Sequence, residues 1–268
     1  MPQAHELICA GRVVARYVWE PDLPATLSPR PYLHPVTTLG GTTVTAFMPD
    51  DHRHHLGASI AVPVLNDANF WGGRTYLRDH GPVQLDDHGS QRHSRWLHRS
   101  GNRLVQELHW LGRNGHVLAR EERTLTATPV TGSSWMLRVD YTLSSADSVP
   151  LTIHSPAVRG RAGAGYGGFF WRAPSAEHIR TIGAAHGSRD PWVALGTTTW
   201  TLVFHTGGDG DPWFVRAADY AGVCAAIAWD RPLVIPPGEV FTRRVSVIVA
   251  DGPPTPETTA HAIAAAAS

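Results

Sequence analysis

Three histidines lie close together in one short polar segment of the chain. Pro49–Gly57, called the histidine loop below, contains two aspartates and an arginine as well as His52, His54 and His55. Imidazole is the side chain that titrates near neutral pH, and it is also the commonest protein ligand for metal ions. Burying this many polar groups as bare scaffold would be costly. The segment therefore predicts a functional loop, and a solvated polar loop is the alternative.

The order of residues in the histidine loop suggests roles for its side chains. If the loop is extended, His52 and His54 point to one face, and Arg53 and His55 point to the other. Two histidines in this spacing can hold a metal ion or bind two oxygens of a substrate, and a neighbouring aspartate would orient an imidazole. We expect His52, His54 and His55 to be catalytic, with His52 and His54 also as metal or substrate ligands, and Arg53 to bind substrate. The cofactor is left open, with a divalent metal ion as the option that the histidines suggest.

Further candidate residues lie in strand-like segments. Glu107 and His109 share one face of a predicted strand, where a carboxylate beside an imidazole is either an acid–base pair or a cross-strand pair without catalytic role. His154 follows an apolar run and precedes a Ser-Pro pair, which places it at the rim of a sheet. We expect the side chains of His52 and His54 to converge with at least one of His34, His109 and His154 at the mouth of a concave pocket. His109 and His154 are then catalytic candidates, and His34 and Glu107 are candidates for binding substrate.

The segment Gly160–Arg172 brings five glycines before three consecutive aromatic residues and an arginine. It does not predict a phosphate-binding loop, because no Gly-Lys-Ser or Gly-Lys-Thr follows. Glycines would let the backbone approach a ligand closely, so Tyr166 and Arg172 are predicted to bind substrate, together with Trp71. The alternative is a crossing between sheets that is followed by aromatic residues of the core.

Composition restricts the class of partner. Lys and Arg together number 23, as do Asp and Glu, so the chain lacks the basic surplus that a nucleic-acid partner requires. The longest apolar stretches, Ala58–Leu65 and Ala221–Trp229, are much shorter than the ~20 residues that span a bilayer. No signal peptide is apparent, and Cys9 and Cys224 lie in apolar runs that predict buried free thiols. We expect a soluble cytoplasmic protein with a small sugar-like substrate, no nucleic-acid or membrane partner, and an oligomeric state left open.

The hydrophobic pattern predicts strands. Trp135, Leu137, Val139 and Tyr141 alternate with more polar residues, as in a strand with one buried face. Similar alternation recurs along the chain, including at Thr43–Phe47. More than ten such segments predict an all-β fold, a large antiparallel sandwich of two sheets. We find no linker, so we expect residues 1–268 to form a single domain.

Two local signals add detail to this fold. Strand-like runs on either side of Asn114-Gly115 predict a hairpin over Arg103–Thr128, with a tight type I′ turn because Asn-Gly tolerates positive φ. At the other end of the sequence, Pro256–Ala267 is rich in alanine and begins with a proline and a glutamate. It predicts one short C-terminal helix.

Six motifs, taken in their order along the chain, resemble the PmoA-like proteins of unknown function. They are Arg30–Val36, Asp51–Gly57, Asn69–Gly72, Glu121–Arg123, Gly165–Arg172 and Asp211–Arg216. The resemblance covers nearly the whole chain and implies a galactose-mutarotase-like supersandwich. It also implies carbohydrate chemistry, because members are often encoded beside sugar-type NAD-dependent oxidoreductases. The family label refers to a membrane-bound methane monooxygenase subunit, and with no membrane span here methane oxidation is not expected.

This chain departs from the family at two positions of the histidine loop. The usual pattern after the two histidines is Arg-Gly, but Leu56 stands in place of that arginine, and Arg53 stands where proline is common. If the usual arginine binds substrate, the choice of substrate differs here.

Three functions follow from these observations. The leading hypothesis is an enzyme that acts on a sugar or an oxidised (keto) sugar by histidine-mediated proton transfer, in epimerisation, β-elimination, ring opening or hydrolysis. The first alternative is a carbohydrate-binding module without catalysis. The second is a metal-dependent oxygenase, which needs two histidines and a carboxylate as ligands. A catalytic site gathers histidines and a carboxylate in a concave pocket, whereas a binding module places aromatic residues on an open face.

Overall fold

Strands account for most of the regular structure in the computed structural model, which describes residues 2–267 of the chain. A short 3₁₀-helix, Ala25–Leu27, and one α-helix, α1 (Pro256–Ala267), accompany them. The strands are, in chain order, β1 Gln3–Cys9, β2 Arg12–Glu20, β3 Tyr32–Val36, β4 Ala58–Ala61, β5 Val64–Leu65, β6 Thr75–Leu77, β7 Gly81–Val83, β8 Ser90–Arg99, β9 Arg103–Leu111, β10 Val117–Thr131, β11 Ser134–Ser145, β12 Leu151–His154, β13 Gly168–Arg172, β14 Arg180–Gly183, β15 Trp192–Gly196, β16 Trp200–His205, β17 Trp213–Arg216, β18 Gly222–Ala226, β19 Leu233–Ile235 and β20 Val240–Asp251.

The strands form two large antiparallel sheets, which confirms the predicted all-β sandwich. One sheet has seven strands in the order β1-β2-β3-β4-β13-β18-β17, and the other has eight in the order β14-β15-β16-β20-β11-β10-β9-β8. Two small sheets, β19-β12-β5 and β6-β7, complete the pairing among the described residues. The main hydrophobic core takes side chains from both large sheets.

Strand β11 shows how alternation builds this core. Trp135, Leu137, Val139 and Tyr141 are each no more than 1% exposed, as their period-two spacing predicts. On the other face, Asp140 forms an ion pair with an arginine of the neighbouring strand β20. The strand therefore has one face in the core and one face that is polar over much of its length.

The predicted hairpin is present, but its turn is of a different kind. Strands β9 and β10 pair antiparallel, with Leu104 opposite Leu125. Residues 112–116 connect them, and the amide of Gly115 donates a hydrogen bond to the carbonyl of Gly112. Only Gly115 of the central Asn-Gly pair has a positive φ, +79°, whereas a type I′ turn needs two such residues. Because the connection has five residues rather than two, Asn114 does not need the left-handed conformation.

Helix α1 forms as predicted, and it explains why the apolar Met136 lies on the otherwise polar face of β11. The hydroxyl of Thr255 accepts a hydrogen bond from the amide of Thr258, which caps the first turn. The helix packs on the outer face of the eight-stranded sheet, where it covers Met136, Val203 and Ile248. Among the described residues there is no helix of the length and apolar character needed to cross a membrane.

Strand β13 carries large side chains on both faces, and this places the candidate site. Phe169 and Trp171 point into the main core, whereas Phe170 belongs to a second buried cluster with Trp71 and Phe214. Because neighbouring strand residues point to opposite faces, Phe170 and Arg172 lie on the outer face of the seven-stranded sheet. Loops cover that face and form a cavity above it.

We expect Leu137→Ala to lower the free energy of unfolding by about 2–5 kcal/mol, because the truncation leaves a hole in a fully buried site. Val240→Ala, in strand β20 and 62% exposed, serves as the control and should change it by less than about 0.5 kcal/mol. Urea denaturation measures both. Equal, small losses for the two variants would contradict the assignment of the core face.

Candidate active site

An open cavity of about 770 Å³ lies over the outer face of the seven-stranded sheet. The histidine loop forms one wall, and Trp71–Arg74 adjoins it. Further wall residues come from the glycine-rich segment before β13 and from strand β17 and the residues that follow it, among them Arg161, Tyr166, Phe214, Arg216, Asp219 and Tyr220. With residues 26–27 and 82–84, six separate stretches of the chain meet here, as in a binding or catalytic site.

The histidine loop is folded into two consecutive turns rather than extended. The amide of His52 donates to the carbonyl of Pro49 at 2.9 Å, and the amide of His55 donates to the carbonyl of His52 at 2.9 Å. As a result, His52 and His55 stack with ring centroids 4.5 Å apart, while His52 and His54 meet edge to face at 5.7 Å. The predicted pairing of His52 with His54 on one face is corrected, because a turn brings together residues three apart.

Arg172 holds the histidine loop from below. Its guanidinium is 2% exposed and donates to both carboxylate oxygens of Asp51, at 3.1 and 3.0 Å, and to Nδ1 of His55 at 3.3 Å. The guanidinium also lies 4.3 Å from the ring centroid of Tyr220. Arg172 is not among the residues that line the cavity, and its hydrogen bonds go to residues of the wall. Binding of substrate by Arg172 stays a prediction.

Asp51 and His52 form a hydrogen-bonded pair on the cavity wall. Nδ1 of His52 lies 2.8 Å from Oδ2 of Asp51, and the side chains are 36% and 45% exposed. Burial alone would raise the pKa of Asp51, but the hydrogen bonds from His52 and Arg172 outweigh it and hold that pKa below its usual value. Because a carboxylate only accepts, the proton of a neutral His52 sits on Nδ1 and its Nε2 carries a lone pair.

His55 has the opposite tautomer. Arginine can only donate a hydrogen bond, so Nδ1 of His55 accepts from Arg172 and the ring proton sits on Nε2. Within residues 2–267, Nε2 has no hydrogen-bond partner. The side chain is buried, and desolvation, His54, His52 and Arg172 together hold its pKa well below the ordinary value. His55 is therefore a neutral imidazole with an N–H donor at the base of the cavity wall.

His54 is neutral for similar reasons. Desolvation, followed by the charge of Arg30 and the proximity of His52, lowers its pKa from 6.5 to about 3. Its ring lies against Gly72 and Gly73, which both have positive φ. A Cβ atom on Gly73 would come within 2.9 Å of Nδ1 of His54, so the absence of a side chain there makes room for the ring.

Arg30 is a second buried guanidinium beneath the site. It is 1% exposed and donates to the backbone carbonyls of Leu27, Ser28, Trp71 and His54. Since these carbonyls belong to three stretches of the chain, one side chain fixes the histidine loop against Trp71 and the 3₁₀-helix. Burial, and secondarily the charge of a neighbouring arginine, lowers its pKa to about 9.

Aromatic side chains form the remaining wall. Trp71 and Tyr166 lie with ring centroids 4.6 Å apart, and Tyr166 meets Phe214 edge to face at 5.2 Å. Tyr220 packs against His52 and His55 at 5.0 and 5.4 Å, and burial raises its pKa to about 12. The structure therefore brings the predicted Trp71 and Tyr166 to the same cavity as the histidine loop.

Four other predicted residues lie elsewhere. Nδ1 of His34 is hydrogen-bonded at 2.9 Å to the hydroxyl of Thr45, and His154 ends β12 in one of the small sheets. His109 lies opposite arginines of the neighbouring strands on the outer face of β9, where Glu107 pairs with Arg95 at 2.6 Å. None of His34, His109 and His154 is among the residues that line the cavity, so the expected convergence at its mouth is corrected.

The remaining predictions concern Arg53 and a metal ion. Arg53 lies on the cavity wall, where it is 3.8 Å from Asp50, so its charge is partly compensated. In the described part of the chain, no group of three or more His, Cys, Asp or Glu side chains has the spacing to hold a metal ion. Binding of a metal ion by His52 and His54 stays a prediction.

Several wall residues carried little signal in the sequence. Tyr220 and Asp219 occur in no recognisable motif, and Arg74 and Arg161 are isolated arginines. Arg30 and Arg216 do lie in the motifs that carry the family resemblance, which is the one signal that pointed to them. A pattern of residue types along the chain cannot show which loops lie over the same face of a sheet. Only the structure therefore identifies these wall residues.

Acid should destabilise the protein through its neutral histidines. The pKa of His54 in the folded chain is about 3, below its ordinary 6.5, so protons bind the unfolded chain more tightly. The contribution of His54 to the free energy of unfolding is therefore fully present above pH 6.5. It is lost as the pH drops from about 6.5 to about 3, by at most ~1.4 kcal/mol per pH unit. His54→Gln should flatten that slope, as measured by urea denaturation between these limits.

His116→Gln is the matched control for this prediction. His116 is 55% exposed and pairs with Asp147 away from the cavity, so this variant removes an imidazole outside the buried cluster. If His54→Gln and the wild type lose stability equally steeply in acid, His54 is not held neutral by its surroundings.

A search of curated proteins finds no match. A candidate aldose 1-epimerase of Escherichia coli K12 has 12% identity and a TM-score of 0.46, with 94% of this chain and 100% of that chain covered. For an α-galactosidase of Geobacillus stearothermophilus the values are 11%, 0.42, 94% and 41%, and for a heparan sulfate lyase of Pedobacter heparinus 9%, 0.31, 62% and 22%.

At these identities and TM-scores the three structures carry no inference about activity. The sequence itself matches one family model over residues 4–264. This agrees with the expected membership of a family of unknown function, while the PmoA-like name stays a prediction. The chain belongs to DUF6807, a family of unknown function.

Proposed function

We propose that the protein is a carbohydrate-active enzyme in which His52 is the general base of a proton transfer. The observation that carries this proposal is the Asp51–His52 pair, with Nδ1 and Oδ2 2.8 Å apart, on the wall of a concave cavity. A carboxylate that holds one imidazole nitrogen leaves the other free to take a proton. The substrate is a sugar or a keto sugar, in agreement with the carbohydrate chemistry that the family resemblance implies.

In the proposed reaction, Nε2 of His52 takes a proton from the sugar. The proton comes from a carbon next to a carbonyl in epimerisation or β-elimination, or from a hydroxyl in ring opening. His52 then becomes an imidazolium, and the negative charge of Asp51 stabilises it. Delivery of a proton to the opposite face of the same carbon gives an epimer, whereas departure of a leaving group with its bonding electrons from the next carbon gives an unsaturated product.

His55 is suited to the complementary role. Its Nε2–H is a hydrogen-bond donor without a protein acceptor in the described residues, and its depressed pKa keeps the ring neutral. Such a donor stabilises the oxyanion that forms when a proton leaves the carbon beside a carbonyl. The low pKa of His54 makes that ring a weak base, so His54 binds or orients substrate in this proposal.

The arrangement favours catalysis over the two alternatives. A binding module would present aromatic residues on an open face with its histidines dispersed, but here three histidines and Asp51 share one concave cavity. The oxygenase alternative requires two histidines and a carboxylate around one metal ion, and residues 2–267 contain no such set. The aromatic wall of Trp71 and Tyr166 is compatible with stacking on a sugar ring.

We expect the wild-type protein to exchange or eliminate a carbon-bound proton, or to speed ring opening, in at least one sugar of a suitable panel. Aldoses, keto sugars and uronates are incubated in heavy water, and proton NMR follows deuterium incorporation, new vinyl protons and anomer exchange. His52→Gln should lower the rate by roughly 10²–10⁴-fold, because it removes the base. Asp51→Asn should do the same, since a carboxamide no longer selects the Nδ1–H tautomer.

His116→Gln is again the matched control, because it alters an exposed Asp–His pair outside the cavity. Its rate should equal that of the wild type. The proposal fails if no sugar of the panel reacts, or if His52→Gln, folded with an unchanged melting temperature, reacts as fast as the wild type.

A further inference from the structure

The charges on the cavity wall do not cancel. Of its three aspartates, Asp51 is bound by the buried Arg172, and Asp50 lies 3.8 Å from Arg53. The third aspartate, Asp219, then remains to balance the charges of three further arginines, Arg74, Arg161 and Arg216. Within residues 2–267, none of these three arginines has a carboxylate within ion-pairing distance. The cavity therefore keeps an excess of positive charge that no residue of its own neutralises.

Arg216 is held in place with part of its guanidinium unused. The group lies 4.3 Å from the ring centroid of Phe214, and Nη1 donates to the carbonyl of Val215 at 3.1 Å. Nη1 also lies 3.3 Å from Nδ1 of His186. In the described residues, Nε and Nη2 have no acceptor. A guanidinium fixed on one side, with free donors on the other, is preorganised to bind an oxyanion.

His186 makes this arrangement rigid. Its Nε2 donates to the carbonyl of Gly163 at 2.9 Å, and its Nδ1 accepts from the amide of Val215 at 3.1 Å. The ring thereby links the glycine-rich segment that carries Arg161 to the strand that carries Arg216. The two arginines are held on neighbouring parts of one wall.

Both arginines line the cavity together with Tyr166. The Tyr166 ring meets the Phe214 ring at 5.2 Å, and the Arg216 guanidinium lies 4.3 Å from the same Phe214 ring. Burial raises the pKa of the Tyr166 hydroxyl, and the positive charges of Arg161 and Arg216 act in the opposite direction. Two cations on one wall repel each other, and an anion bound between them offsets that repulsion.

We propose that the ligand of this cavity is an anionic sugar whose carboxylate or phosphate oxygens bind Arg216 and Arg161 beside Tyr166. The sugar part of this inference rests on the proposed function, whereas the anionic part rests on the arginines. With the anion at this end, the ring of the sugar lies along the aromatic wall toward the histidine loop. The anion also compensates the excess charge of the wall.

The test uses binding rather than turnover. Isothermal titration calorimetry measures a panel of hexoses, the matching hexuronates and the matching hexose phosphates on the full-length protein. At least one anionic series should bind more tightly than the neutral hexoses, and its affinity should fall with added salt. Arg216→Gln and Arg161→Gln should each weaken it by roughly tenfold or more, because a charge-assisted hydrogen bond is lost.

Arg113→Gln is the matched control, because Arg113 is exposed in the turn before β10 and pairs with Asp86 outside the cavity. It should bind as the wild type does. A preference for hexuronates identifies the anion as a carboxylate, and a preference for hexose phosphates identifies it as a phosphate. Arg161 is exposed, so its variant keeps the test decisive if Arg216→Gln does not fold.

Three results would overturn the inference: no binding by any anionic sugar, equal binding of neutral and anionic sugars, or wild-type affinity in both arginine variants. The proposed function fails separately. If anionic sugars bind as expected but no sugar is turned over, the anion site stands and the enzyme proposal falls. If neutral sugars are turned over without preference for anions, the reverse holds.

Discussion

The contact of Arg172 with Asp51 and His55 is the interaction on which the candidate site depends. A guanidinium that is 2% exposed needs a counter-charge and acceptors, because the protein interior solvates it poorly. Nε of Arg172 has no hydrogen-bond partner among the described residues, so Asp51, His55 and the face of Tyr220 supply the compensation. The same contacts orient Asp51 toward His52 and set the tautomer of His55. One buried guanidinium thus sets the tautomer of His55 directly and that of His52 through Asp51.

Arg30 extends this constraint from the side chains to the backbone. Its donors end on carbonyls of the histidine loop, of Trp71 and of the segment before β3. After desolvation, the charge of Arg30 lowers the pKa of His54. For His55, desolvation and the neighbouring His54 and His52 lower the pKa first, and the charges of Arg172 and Arg30 add to them. His52 is hydrogen-bonded to the carboxylate of Asp51 instead. The surroundings of the three adjacent histidines therefore differ, and the roles proposed for them follow from that difference.

Local patterns predicted the parts of the fold that local physics determines. The alternation of Trp135 to Tyr141, the pairing of β9 with β10 and the helix after Thr255 all depend on neighbouring residues. Thr43–Phe47 alternates in the same way but forms only isolated bridges, because the strands beside it are already paired. Strand β8 escaped prediction because Ser90–Arg99 is an edge strand rich in charge, with little apolar alternation to reveal it.

The site was predictable as a cluster but not as a geometry. The composition of the histidine loop pointed to function, yet its two turns depend on Arg172 and Arg30, which lie far away in the sequence. His34, His109 and His154 are similar in type to the loop histidines, and only the order of strands in the sheets separates them from the cavity. Buried arginines are the hardest to foresee, since their acceptors come from several loops at once.

The tautomers of His52 and His55 provide the most direct measurement of this account. Long-range nitrogen-15 correlation NMR at about pH 8, where free imidazoles are neutral, distinguishes the two ring nitrogens of each histidine. The account predicts a proton on Nδ1 of His52, held by Asp51, and a proton on Nε2 of His55, with its Nδ1 accepting from Arg172. A proton on Nδ1 of His55, or a His52 protonated on Nε2 alone, would contradict it.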